Sequence, residues 1–67
     1  MNNLQRIRRK AGLTREELSR ETGIKTRTIV AWERSEVELI HASFINVLRL
    51  ASALKVDPME LIGGEYE

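Results

Sequence analysis

The chain has 67 residues, so we expect one small domain with a single core, which buries only about 60% of the unfolded surface. It contains no cysteine and a single histidine, His41, which excludes disulfides, thiolate metal sites and clustered histidine ligands; no metal or cofactor is predicted. The sequence has no signal peptide, transmembrane run or lipidation motif, so a cytoplasmic protein without a membrane partner is expected.

Charge is unevenly distributed along the chain, although the net charge is only +1. Residues 1–34 carry nine basic and four acidic side chains, a net charge of +5, whereas residues 35–67 carry two basic and six acidic ones, a net charge of −4. Because the local field decides whether a polyanion is attracted, the basic half is a candidate surface for nucleic acid. Two ordinary solvated helix surfaces would have the same distribution, so charge alone does not decide.

The first predicted helix begins at Asn2 or Asn3, either of which can cap it, and ends at Gly12. Apolar residues recur at helical spacing on its inner side: Leu4, Ile7 and Ala11. Its solvent-facing side is expected to carry Gln5, Arg6, Arg9 and Lys10, whose charges add a diffuse positive field. Leu13 follows as an apolar residue before the next cap, and we expect it to pack on the core.

Residues 14–33 predict two short helices joined by a tight turn. Thr14 is a good N-cap and Glu17 follows three residues later, so the two can form a capping box and the second helix begins at Arg15. Gly23 can adopt the positive φ that ends this helix and redirects the chain. Both helices must cross tightly to bury their apolar residues on one core: Leu18, Ile24, Ile29 and Trp32.

The third helix, about residues 26–33, then turns its other face outward. This face is cationic, hydroxylic or small, with no acidic residue before Glu33, and comprises Lys25, Thr26, Arg27, Thr28, Ala31 and Arg34. The following segment, 34–42, lacks glycine and proline, so the third helix can run on past Arg34 before the chain turns. Its apolar residues are Val37, Leu39 and Ile40, of which Leu39 is expected to pack on the core.

A fourth helix starting at Ala42 or Ser43 has the strongest helical periodicity. Its expected inner residues are Phe44, Val47, Leu48, Ala51 and Leu54, with Leu50 beside them. A short fifth helix follows, with Asp57 as cap, Pro58 at the first helical position and Glu60 closing a capping box. Met59, Leu61 and Ile62 are expected to face inward, the helix to end at Gly63, and residues 63–67 to form a frayed tail.

Five helices in this order, with LTREELSRETGIKTRTIVAWER for the second and third and LRLASALKVDPMELI for the last two, resemble the phage-repressor (Cro-like, XRE-type) helix-turn-helix family of DNA-binding domains. The resemblance covers residues 3–62. Its landmarks include Leu13, Thr14, Glu17, Leu18, Gly23, Ile24, Thr28, Ile29, Trp32, Glu33, Ala51, Leu54, Val56 and Leu61. It implies an all-α, compact five-helix bundle in one domain, residues 1–67, whose second and third helices form the helix-turn-helix.

The chain departs from the family pattern at both ends of the helix-turn-helix. Arg15 replaces a glutamine at the start of the second helix, and Ser19 replaces a small apolar residue. Lys25 stands where a hydroxyl residue caps the third helix, and Ser35 where a glycine ends it. These departures affect the ends of the third helix rather than its existence.

The resemblance implies that the third helix enters the major groove. Arg27 can then contact a phosphate or pair with O6 and N7 of a guanine, a contact worth ~1–3 kcal/mol of discrimination. Thr26 and Ala31 match other base-reading positions, where a methyl group can touch that of thymine. The alternatives are that Arg27 is one solvated arginine among eight, and that Ala31 is a helix former without a partner.

Phosphate contacts are expected from Lys25, Thr28 and Arg34, and from Arg15, because free N–H groups and the helix dipole favour an anion beside it. Otherwise Arg15 is a surface residue, slightly unfavourable at a positive helix end. The N-termini of the second and fourth helices would clamp flanking phosphates.

The resemblance also implies a structural ion pair between Arg8 and Glu33. Trp32 is expected in the core, and His41 is expected to be an ordinary exposed residue.

The sequence thus predicts sequence-specific binding to double-stranded DNA by a small transcriptional regulator, most simply a repressor, acting as a homodimer. No nucleophile elbow, phosphate-binding glycine loop or metal-ligand spacing is present, so no catalytic residue and no enzyme activity are predicted. The competing function is a protein-interaction module, an antitoxin or adaptor, contacted through Val37 and Ile40. Ile62 and Tyr66 are candidates for the dimer surface.

Overall fold

A computed structural model describes residues 3–62, apart from the side chain of Glu36, as a succession of helices with no strand in that range. The six helices are Asn3–Lys10 (α1), Arg15–Thr22 (α2), Thr26–Arg34 (α3), Glu36–Ile40 (α4), Phe44–Leu54 (α5) and Pro58–Ile62 (α6). The all-α prediction is confirmed. The expectations for Asn2, for a helix end at Gly63, for the tail at 63–67 and for Tyr66 lie outside the described residues.

The predicted caps of α2 and α6 are confirmed. The Thr14 hydroxyl accepts a hydrogen bond from the Glu17 N–H at 3.0 Å, and the Glu17 carboxylate accepts one from the Thr14 N–H at 2.8 Å. At α6 the Asp57 carboxylate accepts from the Met59 N–H at 2.9 Å, and the Glu60 carboxylate accepts from the Asp57 N–H at 3.1 Å. Each box provides acceptors for N–H groups that have no partner within their helix.

Every helix contributes one fully buried side chain to a common core. These six residues are Leu4, Leu18, Ile29, Leu39, Leu50 and Leu61. Trp32 is buried beside them, and Leu13 packs against the cluster, both as predicted. Because α3 packs against α1, α2 and α4, its inner face is fixed and its other face is turned to solvent.

The segment between α3 and α5 forms a helix of its own, so residues 3–62 contain six helices where the sequence predicts five. Ser35 ends α3 with extended backbone, and its hydroxyl accepts from the Glu38 N–H at 3.3 Å, which begins α4. Leu39 is buried, as expected. The serine that replaces the usual glycine therefore separates two helices and caps the second.

Four apolar residues predicted to face inward are exposed: Ala11, Phe44, Leu48 and Met59. Ala11 lies beyond the end of α1, which is at Lys10. In α5 the buried residues are Val47, Leu50, Ala51 and Leu54. The periodicity of α5 is compatible with two adjacent stripes, and it does not reveal which of them finds a packing partner. In α6, Met59 precedes the buried Leu61 by two residues, which places the two side chains on opposite sides of the helix.

No helix within residues 3–62 is both long enough and apolar enough to cross a membrane.

Hydrogen bonds from Thr14, first from its backbone N–H and then from its side chain, lower the pKa of the Glu17 carboxyl below its ordinary value of 4.5. A carboxyl with a lowered folded pKa adds stability at neutral pH that is lost as the pH falls through that folded pKa. We expect Glu17→Gln to lower the melting temperature at pH 7, and this deficit to shrink steadily below pH 4.5, in thermal unfolding followed by circular dichroism.

Glu16→Gln is the matched control, because it removes a neighbouring carboxylate that takes no part in the capping box. Identical pH profiles for the two variants would contradict the assignment of Glu17.

Candidate nucleic-acid interface

The outer face of α3 carries the six residues singled out by the sequence, and all of them reach the surface. Lys25, Arg27 and Arg34 are exposed, whereas Thr26, Thr28 and Ala31 are half-buried. The same helix turns Ile29, Trp32 and Glu33 inward. The cationic and hydroxylic residues therefore form an accessible strip, which we call the α3 strip: Lys25, Thr26, Arg27, Thr28, Ala31 and Arg34.

The turn between α2 and α3 is held by short-range hydrogen bonds. Gly23 has φ 76°, a conformation that costs glycine little, and its N–H donates to the Ser19 carbonyl at 2.8 Å. The Ser19 hydroxyl donates to the Ile24 carbonyl, and the Ile24 N–H donates to the Thr22 hydroxyl at 3.2 Å. Ser19 therefore uses its hydroxyl to fix the turn, a contact that the usual small apolar residue lacks.

Lys25 occupies the N-cap position of α3, but its side chain does not cap the helix. Its carbonyl accepts from the N–H groups of Thr28 at 3.0 Å and Ile29 at 3.1 Å, but its side chain makes no cap hydrogen bond. The first turn of α3 thus has no side-chain acceptor from its cap residue. A hydroxyl or carboxylate of the cap residue ordinarily accepts hydrogen bonds from the N–H groups of such a turn. In α3 these N–H groups can instead bind an external anion.

Arg8 and Glu33 form a buried, two-pronged ion pair. The Arg8 Nε lies 2.6 Å from Glu33 Oε2, and its Nη2 lies 3.2 Å from Oε1. The other terminal nitrogen of Arg8 donates to the Leu13 carbonyl at 2.8 Å. Only 1% of the Glu33 side chain is exposed. The pair joins α1 to the inner side of α3, next to the end of the strip.

Arg15 also binds Glu33, a contact that the sequence analysis missed. Its Nε donates to Glu33 Oε1 at 2.9 Å, while 37% of its side chain remains exposed. One carboxylate is thereby shared by two guanidinium groups, from α1 and from α2, and the three side chains together carry one positive charge. The sequence feature that indicates this contact is the arginine at position 15, where the family usually has glutamine.

The other residues considered in the sequence analysis belong neither to the α3 strip nor to the ion pairs of Glu33. His41 is exposed on the turn after α4, and Arg9 and Lys10 are exposed on α1. Within residues 3–62 there is no group of three His, Asp or Glu side chains that could hold a metal ion. The predicted fourth helix, whose N-terminus is expected to clamp a phosphate, is α5, and its first turn carries the exposed apolar side chains Phe44 and Ile45.

Comparison with known proteins assigns the chain to a family. A family model described as helix-turn-helix matches residues 4–61, which is most of the chain and includes α2, the turn and α3. No curated protein and no solved structure matches significantly. The chain belongs to the XRE-type (Cro/C1-type) helix-turn-helix family of DNA-binding regulators.

Proposed function

We propose that the protein binds double-stranded DNA in a sequence-specific manner as a small cytoplasmic transcriptional regulator, most simply as a repressor that occludes a promoter. The observation that carries this proposal is the α3 strip, which is exposed while the opposite side of α3 is anchored by Glu33. An α-helix fits the major groove of B-form DNA, where each base pair presents a distinct pattern of donors and acceptors.

Base recognition falls to the side chains in the middle of the strip. Arg27 is exposed in the first turn of α3, where its guanidinium can form two parallel hydrogen bonds with a guanine. Thr26 and Ala31 are half-buried and short, so their methyl groups suit an apolar contact with thymine. Lys25, Thr28 and Arg34 are assigned to phosphates, which fix the orientation of α3 in the groove.

Arg15 is assigned to a flanking phosphate. Its Nε is bonded to Glu33, so the guanidinium is already oriented before DNA binds. Its exposed fraction leaves room for a charge-assisted hydrogen bond from a terminal nitrogen. One module makes few contacts, so useful affinity calls for a homodimer on half-sites roughly 34 Å apart.

Salt dependence tests the DNA-binding function. We expect the affinity for a random-sequence duplex, followed by fluorescence anisotropy, to fall steeply with salt because phosphate contacts release counterions. Arg15→Ala should make the slope of log K against log salt shallower by about 1. Arg9→Ala, an exposed arginine outside the proposed contacts, is the control and should leave the slope nearly unchanged. Salt-independent binding, or no binding at low salt, would refute the proposal.

Arg27 should determine base preference. On a site selected from random duplex DNA, Arg27→Ala should lower the discrimination at one base pair by ~1–3 kcal/mol, because the fork that pairs with guanine is lost. Arg20→Ala removes an exposed arginine of α2 and should keep the preference. If both variants selected the same base as the wild type at every position, the assignment of Arg27 would be wrong.

The alternative function is a protein-interaction module, an antitoxin or adaptor, with DNA contact secondary. It is favoured by the exposure of Val37 and Ile40 on α4. Binding through such apolar residues would be nearly indifferent to salt, so the salt experiment separates the two functions.

A further inference from the structure

The two ends of α3 are held by different contacts. Near the C-terminal end, the buried carboxylate of Glu33 binds Arg8 and Arg15. Thr26 begins the helix seven residues earlier, which is about 10 Å along the helix axis. The ion pairs of Glu33 therefore hold one end of α3, and the other end needs contacts of its own.

The N-terminal end of α3 has no side-chain cap. A hydroxyl or carboxylate at the N-cap position would bond to the first turn and fix where the helix begins. Lys25 occupies this position, with an exposed side chain that donates but cannot accept hydrogen bonds. The start of α3 is therefore fixed by some group other than the side chain of residue 25.

The hydroxyl of Ser19 supplies this contact. It donates to the carbonyl of Ile24, which belongs to the peptide between Ile24 and Lys25; we call this the entry peptide of α3. A peptide group is planar, so a bond to its carbonyl also sets the direction of the Lys25 N–H. The Ile24 N–H donates to the Thr22 hydroxyl, so Ile24 is held on both sides. Because Ile24 is buried, little water competes for these bonds.

We propose that Ser19 is a positioning residue for DNA binding, which orients the entry peptide in place of a side-chain cap and so allows position 25 to carry a cation. The proposal rests on the proposed function, in which the Lys25 ammonium contacts a phosphate. Two departures from the family pattern then have one explanation, because the hydroxyl missing at position 25 is present at position 19. The lysine adds a charge-assisted phosphate contact that a capping hydroxyl does not offer.

The expected effect on DNA binding follows from the strength of one hydrogen bond. A bond between neutral groups shifts the balance between two arrangements by about three- to tenfold. Without the Ser19 hydroxyl, the entry peptide has other orientations in part of the molecules, and in those Lys25 is misplaced for its phosphate. We therefore expect the DNA affinity to fall by the same factor when the hydroxyl is removed.

A double-mutant cycle tests whether Ser19 acts through Lys25. The affinity for one selected duplex is measured by fluorescence anisotropy for the wild type, Ser19→Ala, Lys25→Ala and the double variant. Ser19→Ala should lower the affinity about three- to tenfold when Lys25 is present, and less than about twofold when residue 25 is alanine. Equal factors in both backgrounds would overturn the proposal, because Ser19 would then act independently of Lys25.

Arg34 provides the control, because it is an exposed cation at the end of α3 that Glu33 holds. In the same cycle with Arg34→Ala, Ser19→Ala should lower the affinity by the same factor in both backgrounds. Coupling to Arg34 as strong as the coupling to Lys25 would indicate a general loss of structure and would overturn the proposal. Ser19→Thr retains the hydroxyl and should bind DNA nearly as the wild type does. Circular dichroism checks that each variant is folded.

Amide hydrogen exchange without DNA separates this proposal from the proposed function. In Ser19→Ala, the N–H groups of Ile24 and Thr28 should exchange faster relative to those of α5, because they are bonded on either side of the entry peptide. Unchanged exchange at both would overturn the proposal. A wild-type chain that binds no duplex at low salt would refute the proposed function itself, and faster exchange in Ser19→Ala would still show that Ser19 holds the entry peptide.

Discussion

The carboxylate of Glu33 is the constraint on which the arrangement of the first three helices depends. It is almost completely buried, and it accepts hydrogen bonds from Arg8 of α1 and Arg15 of α2. A charge in such a position is tolerable only with partners in good geometry, so the three helices have little freedom to rotate against one another. Apolar packing then determines that Ile29 and Trp32 face inward, and the α3 strip remains outside.

Much of this fold follows from local rules that the sequence displays directly. The Thr14–Glu17 and Asp57–Glu60 boxes and the glycine turn at Gly23 depend on residues a few positions apart, so they can be read without tertiary information. The strip on α3 was predictable for a related reason. Once Ile29 and Trp32 are assigned to the core, helical geometry places Arg27 and Ala31 elsewhere on the surface.

The features that escaped prediction depend on contacts between distant parts of the chain. Arg15 and Glu33 are 18 residues apart, and only the crossing of α2 over α3 brings them together. Phe44 and Leu48 fit the periodicity of a buried stripe, but the core is filled by the neighbouring stripe of α5 and by Leu39 from α4. The separate helix α4 is a local exception, because it depends on the Ser35 cap, which lies three residues from its donor Glu38 at a position where the family usually has glycine.

The most direct test of this account is the free energy of unfolding of Glu33→Gln in urea. The variant leaves the guanidinium groups of Arg8 and Arg15 beside a neutral side chain, and the group of Arg8 is buried. We expect its free energy of unfolding to fall by about 3–5 kcal/mol. A domain of this size has roughly 3–10 kcal/mol of stability in total, so the variant should be barely folded or unfolded. The control Glu38→Gln, at an exposed position, should change stability by less than about 0.5 kcal/mol. If Glu33→Gln were as stable as that control, the carboxylate would not be what holds the helices in place.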